Sequence, residues 1–230
     1  TVDIVAQRNN SNEQKYLFTN NLKRLAKNIN PYLLDSTNTI VTGRSKPISK
    51  FPEMSFGSMP NDNGHLLLNE EEKQKLINKD VRINNYIKQF SGGSEFVKDV
   101  KKYCIWLEGV DLDEAFNISE IKQRVLNVKE IRAKSKREAT KVLAKTPHLF
   151  GEIRHQNVDS IIIPATTSER REYIPIGFLN EDTIISNSAM AVYHAQPWLF
   201  AIITSRMHMV WVRNVGGKLK TDYRYSAKLC

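Results

Sequence analysis

Cysteine is scarce in this sequence of 230 residues, which contains only Cys104 and Cys230. Two cysteines so far apart cannot build a disulfide framework or a zinc cluster, and their scarcity fits a reducing cytoplasm. No apolar run approaches the length of a membrane span, and the amino-terminal residues do not have the pattern of a signal peptide. The histidines show no metal-ligand spacing, and no nucleophile with a paired base can be identified.

Complete catalytic motifs are missing as well. Amino-methyltransferases that grip a flipped base use an Asn-Pro-Pro-Tyr motif, but Asn30-Pro31-Tyr32 lacks the second proline and no glycine-rich cofactor loop precedes it. Ser91-Gly92-Gly93-Ser94 is too short for a phosphate-binding loop and lacks its lysine. We interpret both stretches as turns, and the sequence offers no catalytic residue.

Basic residues are in excess, with 34 Lys and Arg against 25 Asp and Glu, which gives a net charge of +9. A basic balance suits a polyanionic partner such as DNA, although many soluble proteins are equally basic. The apolar fraction of 40% predicts a globular chain with a real core, either as one large or two small domains. Thr1 is not a natural initiator, so we expect a fragment of a longer protein.

The first two thirds of the chain predict a mixture of helices and strands. Residues 13–28 carry a partial leucine stripe that indicates a helix, and Asn69 precedes three glutamates that suit the first turn of another. Residues 103–107 form a strong candidate for a buried strand. A long periodic segment, residues 119–145, predicts one helix with an apolar stripe and a basic face. The basic face comprises Lys122, Arg124, Lys129, Arg132, Lys134, Lys136, Arg137, Lys141 and Lys145. This face could follow DNA phosphates or be an ordinary solvated surface.

After Pro147 the composition becomes rich in apolar and aromatic segments typical of strands. Six such segments are predicted, at residues 160–164, 173–178, 183–186, 191–194, 199–203 and 209–215. The predicted fold class is therefore α+β, a mixed α/β arrangement that is sheet-rich and has a long basic helix between two subdomains.

The segment after Gly216-Gly217 carries a charge on every second residue, at Lys218, Lys220, Asp222 and Arg224. If this segment is extended, the four side chains line one face, because strand side chains alternate. Lysine and arginine donate to guanine O6 and N7, and aspartate accepts from cytosine N4, so such a row could read base edges. The alternative is an edge strand with a charged outer face.

Several stretches, in this order, resemble one known family. They are Asn30-Pro31-Tyr32-Leu33, Gly43-Arg44-Ser45-Lys46-Pro47, Pro52-Glu53-Met54 with Phe56-Gly57, Leu66-Leu67-Leu68, Arg170 to Phe178, Ser205 to Met209, and Asp222-Tyr223-Arg224-Tyr225-Ser226. Together they look like the target recognition domain of MmeI-like single-chain restriction–modification enzymes, also described as type IIG or IIL DNA methyltransferases. The similarity extends over residues 28–230.

The resemblance implies a module that reads double-stranded DNA for a parent enzyme with upstream methyltransferase and nuclease domains. That parent would bind S-adenosylmethionine, methylate adenine at N6, and use Mg²⁺ where it also cleaves DNA. This chain itself is expected to hold no cofactor and no metal, and no membrane is expected as a partner. The implied organisation is a helical lead-in at 1–28, a first part of the recognition domain at 29–117, the basic helix at 118–146 and a base-reading part at 147–230.

The expected DNA contacts fall into two sets. The resemblance places base readout at Lys220, Asp222 and Arg224, with Asn187, Ser188 and Lys218 beside them. Phosphate contacts are predicted at basic and hydroxyl-bearing loop positions, namely Arg44, Ser45, Lys46, Arg170, Arg171, Arg154 and Arg206. Two other functions stay open at this point. The fragment could itself catalyse methyl transfer, or it could be a protein-interaction module whose basic face keeps it soluble.

Overall fold

The structure, a computed structural model, describes residues 13–19, 21–43 and 50–229. Runs of strands and runs of helices both occur in these residues, which confirms the predicted mixed α+β class. The strands are β1 (Lys15–Thr19), β2 (Leu22–Ala26), β3 (Met54–Phe56), β4 (Leu67–Asn69), β5 (Ile87–Ser91), β6 (Lys102–Ile105), β7 (Ser160–Pro164), β8 (Thr166–Thr167), β9 (Gly177–Leu179), β10 (Thr183–Ile185), β11 (Ala189–Tyr193), β12 (Gly217–Leu219) and β13 (Asp222–Arg224).

The α-helices are α1 (Glu70–Lys79), α2 (Gly93–Lys98), α3 (Leu112–Phe116), α4 (Ser119–Ala133), α5 (Glu138–Val142), α6 (Pro197–Ile203) and α7 (Arg206–Val215). Two 3₁₀-helices span Val81–Tyr86 and Leu143–Lys145. The start of α1 follows the prediction, because the Asn69 side chain accepts from the backbone N–H of Glu72, whose own carboxylate accepts from the N–H of Asn69. In the described ranges, no helix is both long and apolar enough to cross a bilayer.

The first four-stranded sheet has the order β10-β5-β6-β4. Its strands β5, β6 and β4 are antiparallel neighbours, and β10 joins β5 in parallel. Helix α4 packs against this sheet through Ile121, Val125 and Val128, which are buried in the same cluster as Leu66 and Ile105. The apolar stripe predicted for this helix is therefore the side that enters the core.

The second four-stranded sheet has the order β3-β11-β7-β9 and is covered on both faces. On β7, Ile161 and Ile163 pack with residues of α6 and α7, whereas Ile162 faces a cluster that includes Phe96 of α2. A strand buried on both faces reads as a continuous apolar run, which explains the sequence Ile-Ile-Ile of residues 161–163.

The two sheets exchange strands. Strand β3 comes from the early part of the chain but pairs with β11 in the second sheet. Strand β10 comes from the late part but pairs with β5 in the first. Each sheet thus contains strands from both of the parts predicted at 29–117 and 147–230.

Several secondary-structure predictions are wrong, including the strand at 173–178, of which only residues 177 and 178 lie in β9. Residues 15–19 and 22–26 are antiparallel strands, β1 and β2, and not a helix, and Asn21 before β2 has a positive φ of 65°. The segments 199–203 and 209–215, predicted as strands, lie in α6 and α7. Pro197 at the start of α6 and the Ser205 cap of α7, whose hydroxyl accepts from the N–H of His208, favour helix at both sites.

The single basic helix predicted at 119–145 is also interrupted. Helix α4 ends at Ala133, and Arg137 is in the extended conformation before α5 begins. Of the predicted basic face, Arg132 is buried, at 1% exposure, and Arg124 is half-buried with its guanidinium donating to the carbonyl of His65.

Arg132 instead holds two chain segments together. Its guanidinium donates five hydrogen bonds of 2.8 to 3.1 Å to backbone carbonyls, which saturates all of its N–H donors. The acceptors are the carbonyls of Pro60, Asn61, Leu143, Thr146 and Leu149. This burial lowers the pKa of Arg132 from its ordinary value. Arg132 is therefore a structural arginine rather than part of a solvated face.

Candidate nucleic-acid interface

The charged segment near the carboxyl end lies in a three-stranded sheet with the order β12-β13-β8. Leu219 pairs with Asp222 and Gly217 pairs with Arg224 across the hairpin, and Arg224 also pairs with Thr166 of β8. Directly opposed residues share a face, so Asp222, Arg224 and Thr166 project on the same side. Arg224 and Thr166 are exposed and Asp222 is half-buried. This side is called the reading face below.

The reading face differs from the row of four charges predicted from alternation. The chain reverses between β12 and β13, so Lys218 and Lys220 do not continue the line of Asp222 and Arg224. Lys218 pairs with Tyr223 on the opposite side of the hairpin, where its Nζ lies 6.0 Å from the Tyr223 ring centroid. Lys220 lies in the turn itself. The prediction of one common face for all four is therefore wrong, because the whole segment is not a single strand.

Lys220 is held in a left-handed conformation, with φ of 58°. It occupies the first position of the two-residue turn between Leu219 and Asp222, a position at which glycine is the favoured residue. The turn places the exposed Lys220 at the tip of the hairpin, two residues before Asp222. Lys220 and Asp222 thus stay close together, although not for the reason that the sequence suggested.

The loop after β8 brings two predicted phosphate contacts to the same sheet. Arg170 and Arg171 are exposed, and neither guanidinium forms an ion pair with another described residue. The carboxylate of Asp222 accepts from the backbone N–H of Glu169 at 3.4 Å, which ties this loop to the hairpin. Arg213 of α7 donates to the carbonyl of Glu172 at 2.8 Å and holds the other end of the loop.

Helix α7 supports the sheet from below. The Nε2 atom of His208 lies 2.7 Å from the hydroxyl of Tyr225, and Tyr225 is buried directly after β13. Burial lowers the pKa of His208, which favours the neutral ring. The backbone N–H of Tyr225 also donates to the carbonyl of Ala165. Sequence reasoning missed His208, Tyr225 and Arg213 as supports because it assigned residues 209–215 to a strand.

Asn187 and Ser188 occupy a different place, the turn between β10 and β11. Both are exposed, and the Ser188 hydroxyl accepts from the backbone N–H of Gly93 at 3.1 Å. The Asn187 N–H donates to the carbonyl of Ser58. The Ser188 carbonyl accepts from the backbone N–H of Ala165, the residue just before β8, so one backbone hydrogen bond ties this turn to the edge of the sheet that carries the reading face. Among the described residues, no hydrogen bond joins Asn187 or Ser188 to the side chains of the charged hairpin.

The remaining predicted phosphate contacts differ in whether the basic side chain already has a partner in the protein. Arg206 is exposed at the first position of α7. Arg154 is bonded to the carboxylate of Glu152 and to the carbonyl of Phe56 at 3.4 Å, so its guanidinium is partly neutralised. Residues Arg44, Ser45 and Lys46 lie outside the described residues. Within the described part of the chain, no group of three or more His, Cys, Asp or Glu side chains could hold a metal ion.

The chain that carries this charged hairpin, basic loop and supporting helix matches a known protein family. The family model described as the target recognition domain of MmeI matches residues 35–230, which is most of the chain. This chain belongs to the MmeI target recognition domain family. The resemblance drawn from the sequence motifs is thereby confirmed.

Two relatives extend this assignment. DNA methyltransferase A of Bacillus subtilis (strain 168) is 44% identical over 216 residues, which cover 94% of this chain and 25% of that protein. A solved structure of the type IIL restriction-modification enzyme MmeI in complex with DNA is 38% identical, with a TM-score of 0.87, over 96% of this chain and 30% of that one. This MmeI-type domain therefore spans between a quarter and a third of the length of these relatives.

Proposed function

We propose that this chain reads a specific double-stranded DNA sequence for a restriction–modification enzyme that methylates adenine at N6. The observation that carries the proposal is the reading face, where Asp222 and Arg224 project side by side next to the loop of Arg170 and Arg171. Membership of the MmeI target recognition domain family and similarity to an MmeI structure in complex with DNA support it.

The chemistry of the hairpin suits base edges in the major groove. Arg224 can donate twice to guanine O6 and N7, and Asp222 can accept from cytosine N4. Lys220, at the tip, adds a donor beside Asp222, so these two together suit one G·C pair. Residues two apart on a strand are separated by about 6.8 Å, which corresponds to roughly two base-pair steps. Arg224 therefore suits a base pair near, but separate from, the pair read by Lys220 and Asp222.

Phosphate contacts would come from the basic residues around the reading face. Arg170 and Arg171 lie in the loop that follows β8. Arg206 is the first residue of α7, the helix that packs against the sheet of the reading face. These side chains lack carboxylate partners in the described part of the chain, so each can neutralise a DNA phosphate without first breaking an ion pair. Arg154 would have to leave Glu152 and is the weaker candidate.

The proposal is tested by exchanging charge at the hairpin in the full-length enzyme. We expect the double variant Lys220→Asp, Asp222→Lys to methylate a motif that differs from the wild-type motif at one base pair, as mapped in cellular DNA. The matched control exchanges Glu71 and Lys75, two exposed residues of α1, and should keep the original motif. An unchanged motif in the hairpin variant would show that Lys220 and Asp222 do not read bases.

The proposed function also assigns cofactor binding to other domains of the parent enzyme. Binding of S-adenosylmethionine, and of Mg²⁺ where the enzyme cleaves DNA, is assigned to the methyltransferase and nuclease domains of the parent. Calorimetry of this chain with S-adenosylmethionine should therefore give no binding heat, whereas the full-length enzyme should give a saturable signal. Saturable binding by the chain alone would favour the alternative that it carries methyltransferase activity.

A further inference from the structure

A second basic site lies away from the hairpin, between the turn that contains Asn61 and Asn63 and the linker from α4 to α5. It is a pocket of about 340 Å³. The lining residues are Asn61, Asn63, Ile131, Arg132, Ser135, Arg137 and Thr140. Two of these are arginines, four carry amide or hydroxyl groups, and none is acidic. The pocket is thus open to an anion and poorly suited to a cation.

The buried wall of the pocket carries the charge of Arg132, which forms no ion pair with a described residue. Arg132 donates to carbonyl oxygens only, and no carboxylate of the described residues forms an ion pair with it. Asp62 is close enough to favour the charged guanidinium, but the Asp62 carboxylate accepts from the backbone N–H of Leu66 at 2.6 Å. Asp62 therefore offsets the Arg132 charge only in part, and an anion in the pocket would be stabilised by Arg132 without touching it.

The exposed wall supplies free donors. The guanidinium of Arg137 forms no ion pair with a described residue, whereas its neighbours Lys134 and Lys141 are paired with Glu130 and Glu138. Arg137 is thus the one basic side chain of this linker that both lines the pocket and is available. The amides of Asn61 and Asn63 and the hydroxyl of Thr140 add neutral donors. An oxyanion with several acceptor oxygens, such as a phosphate group, matches this set of donors.

The pocket walls are also fixed before any ligand arrives. Asn61 and Asn63 both take left-handed conformations, with φ of 49° and 53°, and Arg132 holds the Asn61 carbonyl at 2.9 Å. On the other wall, the hydroxyl of Ser135 accepts from the backbone N–H of Arg137 at 3.2 Å. Fixed walls reduce the entropy that ligand binding would cost.

We propose that this pocket binds a phosphate group, with Arg137 as the contacting charge and Arg132 as the buried charge behind it. We assign this phosphate group to a phosphodiester of the DNA backbone beyond the bases that the hairpin reads. This assignment rests on the proposed function. Such a contact adds affinity and orientation but no sequence preference.

The pocket is tested first with inorganic phosphate as the probe. We expect the ³¹P resonance of phosphate to broaden saturably with the wild-type chain, and this broadening to be lost in Arg137→Gln. Thr140→Val, which removes one hydroxyl at nearly constant volume, should weaken it. Lys75→Gln removes the same charge from an exposed position of α1 and should behave like the wild type. Thermal unfolding of each variant verifies that the fold is retained.

The source of the phosphate is tested by the salt dependence of duplex DNA binding. Each phosphate contact contributes about 0.9 to the slope of log K against log[salt], so Arg137→Gln should lower the slope by about one unit on every DNA sequence. Lys75→Gln should leave the slope unchanged.

The outcomes separate this inference from the proposed function. Loss of phosphate binding with an unchanged DNA slope would overturn the backbone assignment and indicate free phosphate or a nucleotide as the ligand. No effect of Arg137→Gln in either experiment would overturn the phosphate site. If the wild-type chain bound DNA without salt dependence, the proposed function would fail, while the ³¹P experiment would still decide the pocket.

Discussion

Two regions of this domain use arginine in opposite ways. Arg132 is 1% exposed and gives all five of its N–H donors to backbone carbonyls. Arg224 is exposed on the reading face, and its guanidinium forms no hydrogen bond or ion pair with a described residue. A guanidinium has only five donors, so the first arginine supports the fold and the second is free for a ligand. Burial and partners, not residue type, determine the role.

The largest expected effect is on stability and concerns Arg132, the arginine that supports the fold. Arg132→Met keeps much of the side-chain volume but leaves five backbone carbonyls, one buried and four partly buried, without their donor. Each unsatisfied buried group is costly, and we expect the free energy of unfolding to fall by at least about 3 kcal/mol. Denaturant unfolding followed by circular dichroism measures this change.

Arg224→Met is the matched control, because it makes the same substitution on the surface. Its effect on the free energy of unfolding should stay within about 0.5 kcal/mol. Equal destabilisation by the two variants would contradict the comparison.

The next largest effect is on DNA recognition and concerns Arg224, the arginine that is free for a ligand. Arg224→Ala should reduce discrimination at one base pair by about 1–3 kcal/mol, because one bidentate contact to guanine is lost. The measurement compares the dissociation constants of the cognate duplex and of duplexes substituted one position at a time. Arg171→Ala should instead weaken binding to all duplexes alike, since a phosphate contact carries no base information. A uniform loss for Arg224→Ala would reassign that residue to the backbone.

The same contrast shows what the sequence could and could not predict. The stripe of Ile121, Val125 and Val128 was found from its helical spacing, and Arg132 continues that spacing four residues later. This position indicated burial, but the residue type favoured assignment to the basic face. Which carbonyls would accept its hydrogen bonds depends on distant segments that no local pattern identifies.

The errors near the carboxyl end have a related cause. Short apolar runs rich in Val, Ile and aromatic residues suit a strand and a buried helix equally well, so α6 and α7 were predicted as strands. The caps at Pro197 and Ser205 were the local signals for helix. In the hairpin, the pairing of Asp222 with Leu219 sets which residues share the reading face. Lys220 was assigned from the alternation of charges and from the family resemblance, but its position at the tip follows from the turn.

A smaller effect tests strain in the reading hairpin, where the left-handed residue is a lysine, whereas the left-handed residues beside Arg132 are the better-suited Asn61 and Asn63. Lys220 has φ of 58° in a turn that favours glycine, so Lys220→Gly should raise the free energy of unfolding by up to about 1 kcal/mol. Lys218→Gly, within β12, should lower it by about 0.5–1 kcal/mol, because glycine weakens a strand. Thermal unfolding of both variants provides the measurement. If Lys220→Gly did not stabilise the protein, the turn would be unstrained.

The smallest effect is a pH dependence that one histidine gives to each region. Burial lowers the pKa of His208 beneath the reading face, and burial together with the charge of Arg132 lowers the pKa of His148. The unfolded chain binds these protons more readily, near the ordinary pKa of about 6.5, so stability is complete above that pH and is lost as the pH falls below it.

Replacement of either histidine should flatten this dependence. We expect His208→Gln and His148→Gln each to reduce the loss of unfolding free energy between pH 7 and pH 5, as measured by denaturant midpoints. The control Asn78→Gln changes an exposed residue of α1 that has no titratable group and should leave the profile unchanged. If Arg132→Met, where it remains folded, also flattens the His148 contribution, the buried guanidinium acts electrostatically on its surroundings as well as through its five hydrogen bonds. A flattening confined to His208→Gln would instead restrict the pH response to the support of the reading face.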